Sequence, residues 1–456
     1  MYLGLQNIDK FVTGSAEEKK LIEGQLYFFR AWWHEEMMEY FGGMPYVDTY
    51  LDANAEQRLP RLSYQECADR AAADFRKAAD LLPINWDKTS AGAATQGKND
   101  LRINKIMALG YLGKTYLWAA SPLMKNGAQT GASKNGKTYD YDQEYAKKAA
   151  EAFGELLSLV EAGQTQYALA EFKYSDIYNH EKSADANSCF SDIFYTKKQN
   201  WKMPGTVEAI FRGPSPDFNG SNWNTSKVFG PKVQKVVAHD NVIHQPTANL
   251  VEAYGMANGE PIYLVENGQY VLNPKSGFDP KHPFKNRDPR FYHDIVFDGF
   301  KYINTTIDAV KEPKVAALQY IPMYSGSILR SSSSQGCRTG YYTQKLVPHQ
   351  ANKYDGMYNW GGALQCDLPY MRLADLYLMY AEAGAAVQGA NYKSSKLNLT
   401  AAEAINVLRD RVKAGHVADK FMNDQTGEYK KYIWDPNDYI NIMMFPFKQE
   451  ANSSTT

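Results

Sequence analysis

The strongest constraint on this chain is a paired helical pattern that occurs three times. Leu109-x2-Leu112-Gly113-x2-Tyr116 sets large side chains on one helical face around a glycine, and Ala149-x3-Phe153-x2-Leu156 sets a small and a large residue on the face of a following helix. The halves are complementary, because Gly113 lets a partner approach closely while the large residues fill the groove. Ala71-x3-Phe75-x2-Ala78, followed by Pro83, repeats the second half; its mate is expected over 26–40, where Trp33 and Tyr40 stand at the right spacing. Leu373-x2-Leu376-Tyr377-x2-Tyr380 with Ala401-x3-Ile405-x2-Leu408 makes the third pair, with Tyr377 in the glycine position. One such hairpin cannot bury its own apolar face, so the pairs have to stack on one another.

The spacing is that of a tetratricopeptide pair, W-x2-L-G-x2-Y and then A-x3-F with a later Pro, with Leu109 at the Trp position. Long excursions replace the tight turns, over 41–62 in one pair and 121–142 in another. Between 164 and 368 helical periodicity gives way to Pro, Gly, Asn and aromatic residues. There 263–272 reads as a β-hairpin turning at Asn267-Gly268, 294–303 as another turning at Asp298-Gly299, and 207–211 as a short apolar strand. The expected fold is mainly α: a tetratricopeptide-like helical-hairpin scaffold from 1–163 and 369–456, carrying a loop-rich mixed α/β region from 164–368 with small β-hairpins, all in one compact fold.

Several function classes lose their support. Lys and Arg number 50 against 51 Asp and Glu, a net −1 with no basic block, so neither nucleic acid nor an anionic membrane surface is an expected partner. Cys67, Cys189, Cys337 and Cys366 are too few and scattered for a disulfide framework or a zinc ribbon. Residues 106–124 are the best candidate membrane span, but Lys114 near the centre costs about 2.5–3.5 kcal/mol and little Leu or Ile offsets it. Residues 1–20 lack the basic start and apolar run of a signal peptide, and Cys67 comes too late for a lipobox. The expectation is a cytosolic chain or one that follows a removed leader.

Gly131-Ala-Ser-Lys-Asn-Gly136-Lys137-Thr138 satisfies the phosphate-loop pattern, yet no apolar strand precedes it and Tyr-Asp-Tyr-Asp follows, a poor helix start. A solvated loop is expected there, not a nucleotide site. His34-Glu35-Glu36-Met37-Met38 misses a zinc motif at its last position, His239 and His244 lie in a loop, and Gly213-Pro-Ser215-Pro-Asp217 breaks a nucleophile elbow. No cofactor or metal is expected, and no catalytic constellation emerges.

The aromatics are uneven: 33 Tyr and 8 Trp, rings with a polar tip, against 20 Phe. Trp86, Trp201, Trp223, Trp360 and Trp434 fall outside the periodic helices. Two clusters, Asn219-Gly-Ser-Asn222-Trp223-Asn224 and Tyr354-Asp-Gly-Met-Tyr358-Asn359-Trp360-Gly-Gly, set a flat ring among amides and carboxylates on a glycine-rich loop. Such a ring covers the apolar face of a pyranose while the amides bond its hydroxyls. Trp223, Asn224, Tyr358, Asn359 and Trp360 are therefore the expected carbohydrate contacts, against the plainer reading in which these tryptophans anchor loops.

Segments along most of the chain resemble the SusD/RagB family, lipid-anchored glycan-binding proteins of the Bacteroidetes outer surface. Arg30-Ala31 with Tyr40-Phe-Gly-Gly-Met-Pro45 resembles the family's helix exit. Residues 102–120 resemble its long repeat helix, Pro246-Thr247 to Tyr254 with Gly259 its "PT" segment, and Arg287-Asp288-Pro289-Arg290 its "DPR" turn. The most specific match is Arg372-Leu-Ala-Asp375-Leu-Tyr-Leu-Met-Tyr380-Ala-Glu382-Ala, and Asn406-Val-Leu-Arg409-Asp-Arg411 follows it in order. The resemblance implies a helical scaffold around a variable region and no catalysis. It also implies a partner, a SusC-like TonB-dependent outer-membrane transporter to which captured oligosaccharide is handed. Tyr2 to Asn7 resembles the end of an early family helix, so the expected lipobox cysteine precedes this chain, and the family's helix after Phe421 has no counterpart. The alternatives are a glycoside hydrolase and a tetratricopeptide module that binds peptide tails.

Overall fold

The computed structural model describes residues 1–54, 56–99, 102–125, 141–172, 190–193, 195–196, 208–211, 229–231, 244–266, 269–330, 336–347, 352, 354–355, 365–366 and 369–417. Among the described residues six long helices carry the architecture: α1 (Ala16–Phe41), α2 (Tyr64–Leu81), α3 (Lys105–Ala120), α4 (Gln143–Glu161), α5 (Leu373–Gln388) and α6 (Ala401–Val412). Each of the six expected helices is present. Their starts are written locally: Ser15 with Glu18, Ser63 with Glu66 and Thr400 with Glu403 form reciprocal capping boxes, and the Asn104 and Asp142 side chains cap α3 and α4.

Each helix packs on the next in the order α1, α2, α3, α4, α5, α6. The stack therefore passes from α4 directly to α5, although more than two hundred residues separate them in sequence. Glycine sets the closest approach, since a Cβ on Gly113 would lie 2.5 Å from the Phe153 ring. In the third pair, where Tyr377 replaces that glycine, the near contact moves to Gly384, which faces Tyr392 and Ala401.

The first pair departs from expectation. Along α1 the buried face carries Leu21, Gly24, Phe28, Ala31, Trp32, Glu35 and Met38, while Trp33 is 51% and Tyr40 81% exposed. The two residues matched to the repeat by spacing thus point to solvent. The excursion after α1 is pinned back onto it. The Arg30 guanidinium donates two 2.7 Å bonds to Asp74 and one of 2.8 Å to the Asp48 carbonyl, and Tyr46 donates to Asp74 at 3.0 Å. The Val47 N–H donates to His34 Nε2 at 3.0 Å, so Nδ1 carries the hydrogen that bonds the Arg30 carbonyl at 2.7 Å. Burial lowers the His34 pKa and keeps the ring neutral.

Lys114, the charge in the middle of α3, pairs with Glu39 and lies 3.7 Å from Glu35, two residues of α1. No helix among the described residues is long and apolar enough to cross a membrane.

Between the scaffold halves lie short antiparallel strands: β1 (Tyr195–Thr196), β2 (Ala209–Phe211), β3 (Tyr263–Glu266), β4 (Gln269–Leu272), β5 (Ile295–Val296), β6 (Tyr342–Thr343), β7 (Gln365–Cys366) and β8 (Met371–Arg372). β3 and β4 pair as the expected hairpin, with Tyr263 opposite Leu272. The second expected hairpin is corrected. The chain does turn at Asp298-Gly299, where Gly299 has φ +83°, but β5 pairs with β6 and Lys301 bridges to Tyr320, so the two arms find distant partners. β2 pairs with β8, and β1 with β7.

A buried carboxylate ties this region to the scaffold. Glu208, with no exposed surface, accepts 2.8 Å from Arg411 of α6 and 2.7 Å from the Ala170 N–H, and lies 3.4 Å from Arg372 at the start of α5. Arg409 of α6 reaches the Gly259 carbonyl at 2.6 Å. Gly259 has φ +90°, and a Cβ there would lie 2.5 Å from the Gly415 carbonyl oxygen, so only glycine fits.

Candidate functional site

The expected contacts Trp223, Asn224, Tyr358, Asn359 and Trp360 lie outside the described residues, as do Trp201, Trp434, His239 and the Gly131–Thr138 loop. Their flanking strands are described, and the pairing is informative. In β2–β8, Phe211 stands opposite Met371. The chain leaves β2 at Phe211 toward the segment that carries Trp223, and it enters β8 through Tyr370 from the segment that carries Trp360. Antiparallel pairing puts this exit and this arrival at one end of the pair.

An aromatic cluster marks that end. Phe211 and Tyr370 have ring centroids 5.5 Å apart, Trp32 lies 5.4 Å from Phe211 and 5.7 Å from Tyr370, and Trp33 lies 4.7 Å from Trp32. Trp32 and Phe211 are each 7% exposed, whereas Trp33 and Tyr370 are 51% and 53% exposed. Two wet rings are thus held by two dry ones; Trp32 meets Phe211 and Tyr370 edge to face, each such pair adding about 0.5–1.5 kcal/mol beyond burial. Spacing alone assigned Trp33 to the hairpin interior. The helical period that gathers Phe28, Ala31, Glu35 and Met38 on one face would have put Trp33 outside it.

Beside this cluster the carboxylates of Glu35, Glu36 and Glu39 offer oxygens within 4.8 Å of one another. Their cation is internal, because the Lys114 ammonium already lies against Glu35 and Glu39. Burial pushes the Glu35 carboxyl well above the usual range; Lys114 opposes this and Glu39 reinforces it.

A cleft of about 260 Å³ lies elsewhere, between the short helix Ala248–Glu252 and the β3–β4 hairpin. It is lined by Asn249, Glu252 and Ala253 on the helix side, by Tyr263 and Tyr270 on the hairpin side, and by Pro261 and Ile262. Since Val265 opposes Tyr270, Tyr263 and Tyr270 are diagonal neighbours on one face of the hairpin. Arg287 braces the helix side, its guanidinium donating to the carbonyls of Val251, Gly255 and Pro283 at 2.6, 2.9 and 3.1 Å. Asn273 braces the hairpin, donating to the Pro261 carbonyl at 3.0 Å and to Glu260 at 2.8 Å. Burial and the Glu252 carboxylate push the Tyr263 phenol up, with Arg287 pulling the other way.

Other singled-out residues resolve into structure. Trp86 is 4% exposed, and its indole N–H donates to the Ile103 carbonyl at 2.7 Å under the Arg102 guanidinium, so it anchors a loop. Asp355, at the root of the second cluster, accepts from the Asn304 and Thr305 N–H groups at 2.8 and 2.7 Å. His244 stacks on Phe229 at 4.9 Å.

Comparison with known proteins completes the description. A family model described as "Starch-binding associating with outer membrane" matches residues 2–117. A search of curated proteins returned no match. Among solved structures, the chain is similar to a SusD-like protein from Bacteroides fragilis at 19% identity, covering 97% of this chain and 73% of that one with a TM-score of 0.55. It is similar to a SusD-like carbohydrate-binding protein from the same species at 18% identity, with 94% and 65% covered and a TM-score of 0.54. A third, described with xylogluco-oligosaccharide, shares 14% identity over 97% of this chain and 70% of that one, with a TM-score of 0.51. At such identities the likeness is one of fold. A model described as "SusD family" matches residues 207–439, just over half of the 456, and the chain therefore belongs to the SusD/RagB family.

Proposed function

We propose that this protein is a non-enzymatic glycan-binding protein of the outer-membrane surface that passes oligosaccharide to a SusC-like TonB-dependent transporter. The observation that carries the reading is the pair of half-exposed rings, Trp33 and Tyr370, seated on buried Trp32 and Phe211 where the strands leading to Trp223 and Trp360 meet. Saccharide recognition asks for rigid apolar faces beside amides, and Asn224, Asn359 and Tyr358 supply the polar partners in the adjoining segments. Trp223, Asn224, Tyr358, Asn359 and Trp360 then complete a surface founded on Trp33 and Tyr370. A similar fold carries the description "carbohydrate binding" in one relative, and a xylogluco-oligosaccharide accompanies another. The near-zero net charge favours a neutral glycan, since an anionic one would be better met by a basic groove. In this reading the scaffold of 1–163 and 369–456 and the region 164–368 act as one rigid body, lipid-anchored outside the cell and capping the transporter.

The test is affinity electrophoresis through gels containing a panel of neutral polysaccharides. The wild type is retarded by at least one of them. Trp33→Ala, Tyr370→Ala, Trp223→Ala and Trp360→Ala each weaken that retardation by about fivefold or more, since a lost ring removes roughly 1–2 kcal/mol of burial. Unchanged retardation in all four variants would overturn the site. Steady release of shortened oligosaccharides from the same polysaccharides would overturn the non-enzymatic reading.

A further inference from the structure

The cleft beneath the β3–β4 hairpin shares no residue with the Trp33–Tyr370 surface and is built from different elements. Two tyrosine rings project from one hairpin face, an amide and a carboxylate face them from the short helix, and both walls are fixed from behind by Arg287 and Asn273. At about 260 Å³ it falls below the roughly 300–1,000 Å³ of sites for drug-sized ligands, which leaves room for about one sugar ring.

We propose that this cleft is a second saccharide site, one that takes a single neutral pyranose at a chain end or branch point. The geometry stands by itself, while the ligand class rests on the glycan-binding reading above. The Tyr263 and Tyr270 rings offer stacking faces, and Asn249 and Glu252 offer an amide donor and carboxylate acceptors for adjacent hydroxyls. A space bounded by a helix on one side and a hairpin on the other suits one ring, whereas the open Trp33–Tyr370 surface suits the middle of a chain. The lining carries a carboxylate, that of Glu252, and the Arg287 guanidinium is buried and donates to three carbonyls, so neither offers a uronate an exposed cation.

Saturation-transfer NMR on the full chain with glucose, galactose, mannose, xylose and glucuronate tests this. At least one neutral sugar receives saturation, and glucuronate receives at least about fivefold less. Tyr270→Ala and Asn249→Ala each cut the neutral-sugar signal about fivefold or more, whereas Val310→Ala, at a solvent-exposed position outside both sites, leaves it unchanged. Tyr263→Phe, which keeps the ring, retains the signal and shows that the hairpin survives. The proposal is overturned if no neutral sugar receives saturation, if glucuronate matches the neutral sugars, or if Tyr270→Ala and Asn249→Ala leave the signal intact. Failure of the Trp33–Tyr370 site is read separately, in the gels: retardation insensitive to Trp33→Ala together with a monosaccharide signal sensitive to Tyr270→Ala supports this cleft while removing the other site.

Discussion

The Tyr370 ring stands 5.5 Å from the ring of Phe211, and the two differ sharply in exposure, at 53% and 7%. The pair spans the line between surface and core, so its members answer to different experiments. Phe211→Ala empties buried volume beside Phe28, Trp32 and Tyr111, and is expected to cost about 3–5 kcal/mol of stability. Tyr370→Ala removes a half-wet ring and should cost well under that, while the loss appears in glycan affinity. Urea denaturation of the two variants, set against their gel retardation, checks this division.

Gly113 faces the Phe153 ring so closely that a methyl group would need the space the ring fills. Gly113→Ala is expected to destabilise by about 1–3 kcal/mol through overpacking. Adding Phe153→Leu should return part of that loss, a non-additive coupling between contacting residues that a double-mutant cycle in urea would register.

Glu208 neutralises two guanidinium groups, Arg372 at the start of α5 and Arg411 in the last turn of α6. Glu208→Ala leaves Arg372 and Arg411 buried without it, and the expected loss is about 3–5 kcal/mol. Because the same carboxylate also holds the Ala170 N–H, the variant should melt at a lower temperature than the wild type, which calorimetry can decide. An unchanged melting temperature would contradict this.

Glu35 makes stability depend on pH with a definite sign. Burial raises its pKa from 4.5, so the folded chain holds the proton more tightly than the unfolded one. Its contribution is complete below about pH 4.5 and is lost as pH rises from there through the raised value. Glu35→Gln, which cannot ionise, should lose less stability than the wild type between pH 4.5 and 8. Urea midpoints for both proteins across that interval give the slope difference directly.

Helices were legible because large and small apolar residues recur every three to four positions along them, whereas the capping boxes at Ser15, Ser63 and Thr400 entered only with the structure. The β3–β4 hairpin was legible from its two turn residues. The arms around Asp298-Gly299 misled because a local turn says nothing about distant partners, here Tyr342–Thr343 for one arm and Tyr320 for the other. Trp33 misled because matched letters were read without the helical face they imply. The tyrosine cleft was invisible for another reason: Arg287 and Asn273 brace its two sides through bonds to backbone carbonyls, which leave no periodic trace.

The direct packing of α4 on α5 carries a consequence for synthesis. Ala146 of α4 ends against Ala386 of α5, yet a ribosome must add more than two hundred residues after α4 before that cover exists. At roughly 5–20 residues per second, the nascent chain waits on the order of ten seconds or longer with an unroofed apolar flank. A chain cut short before residue 388 would leave that flank of α4 without the helix that covers it in the full chain.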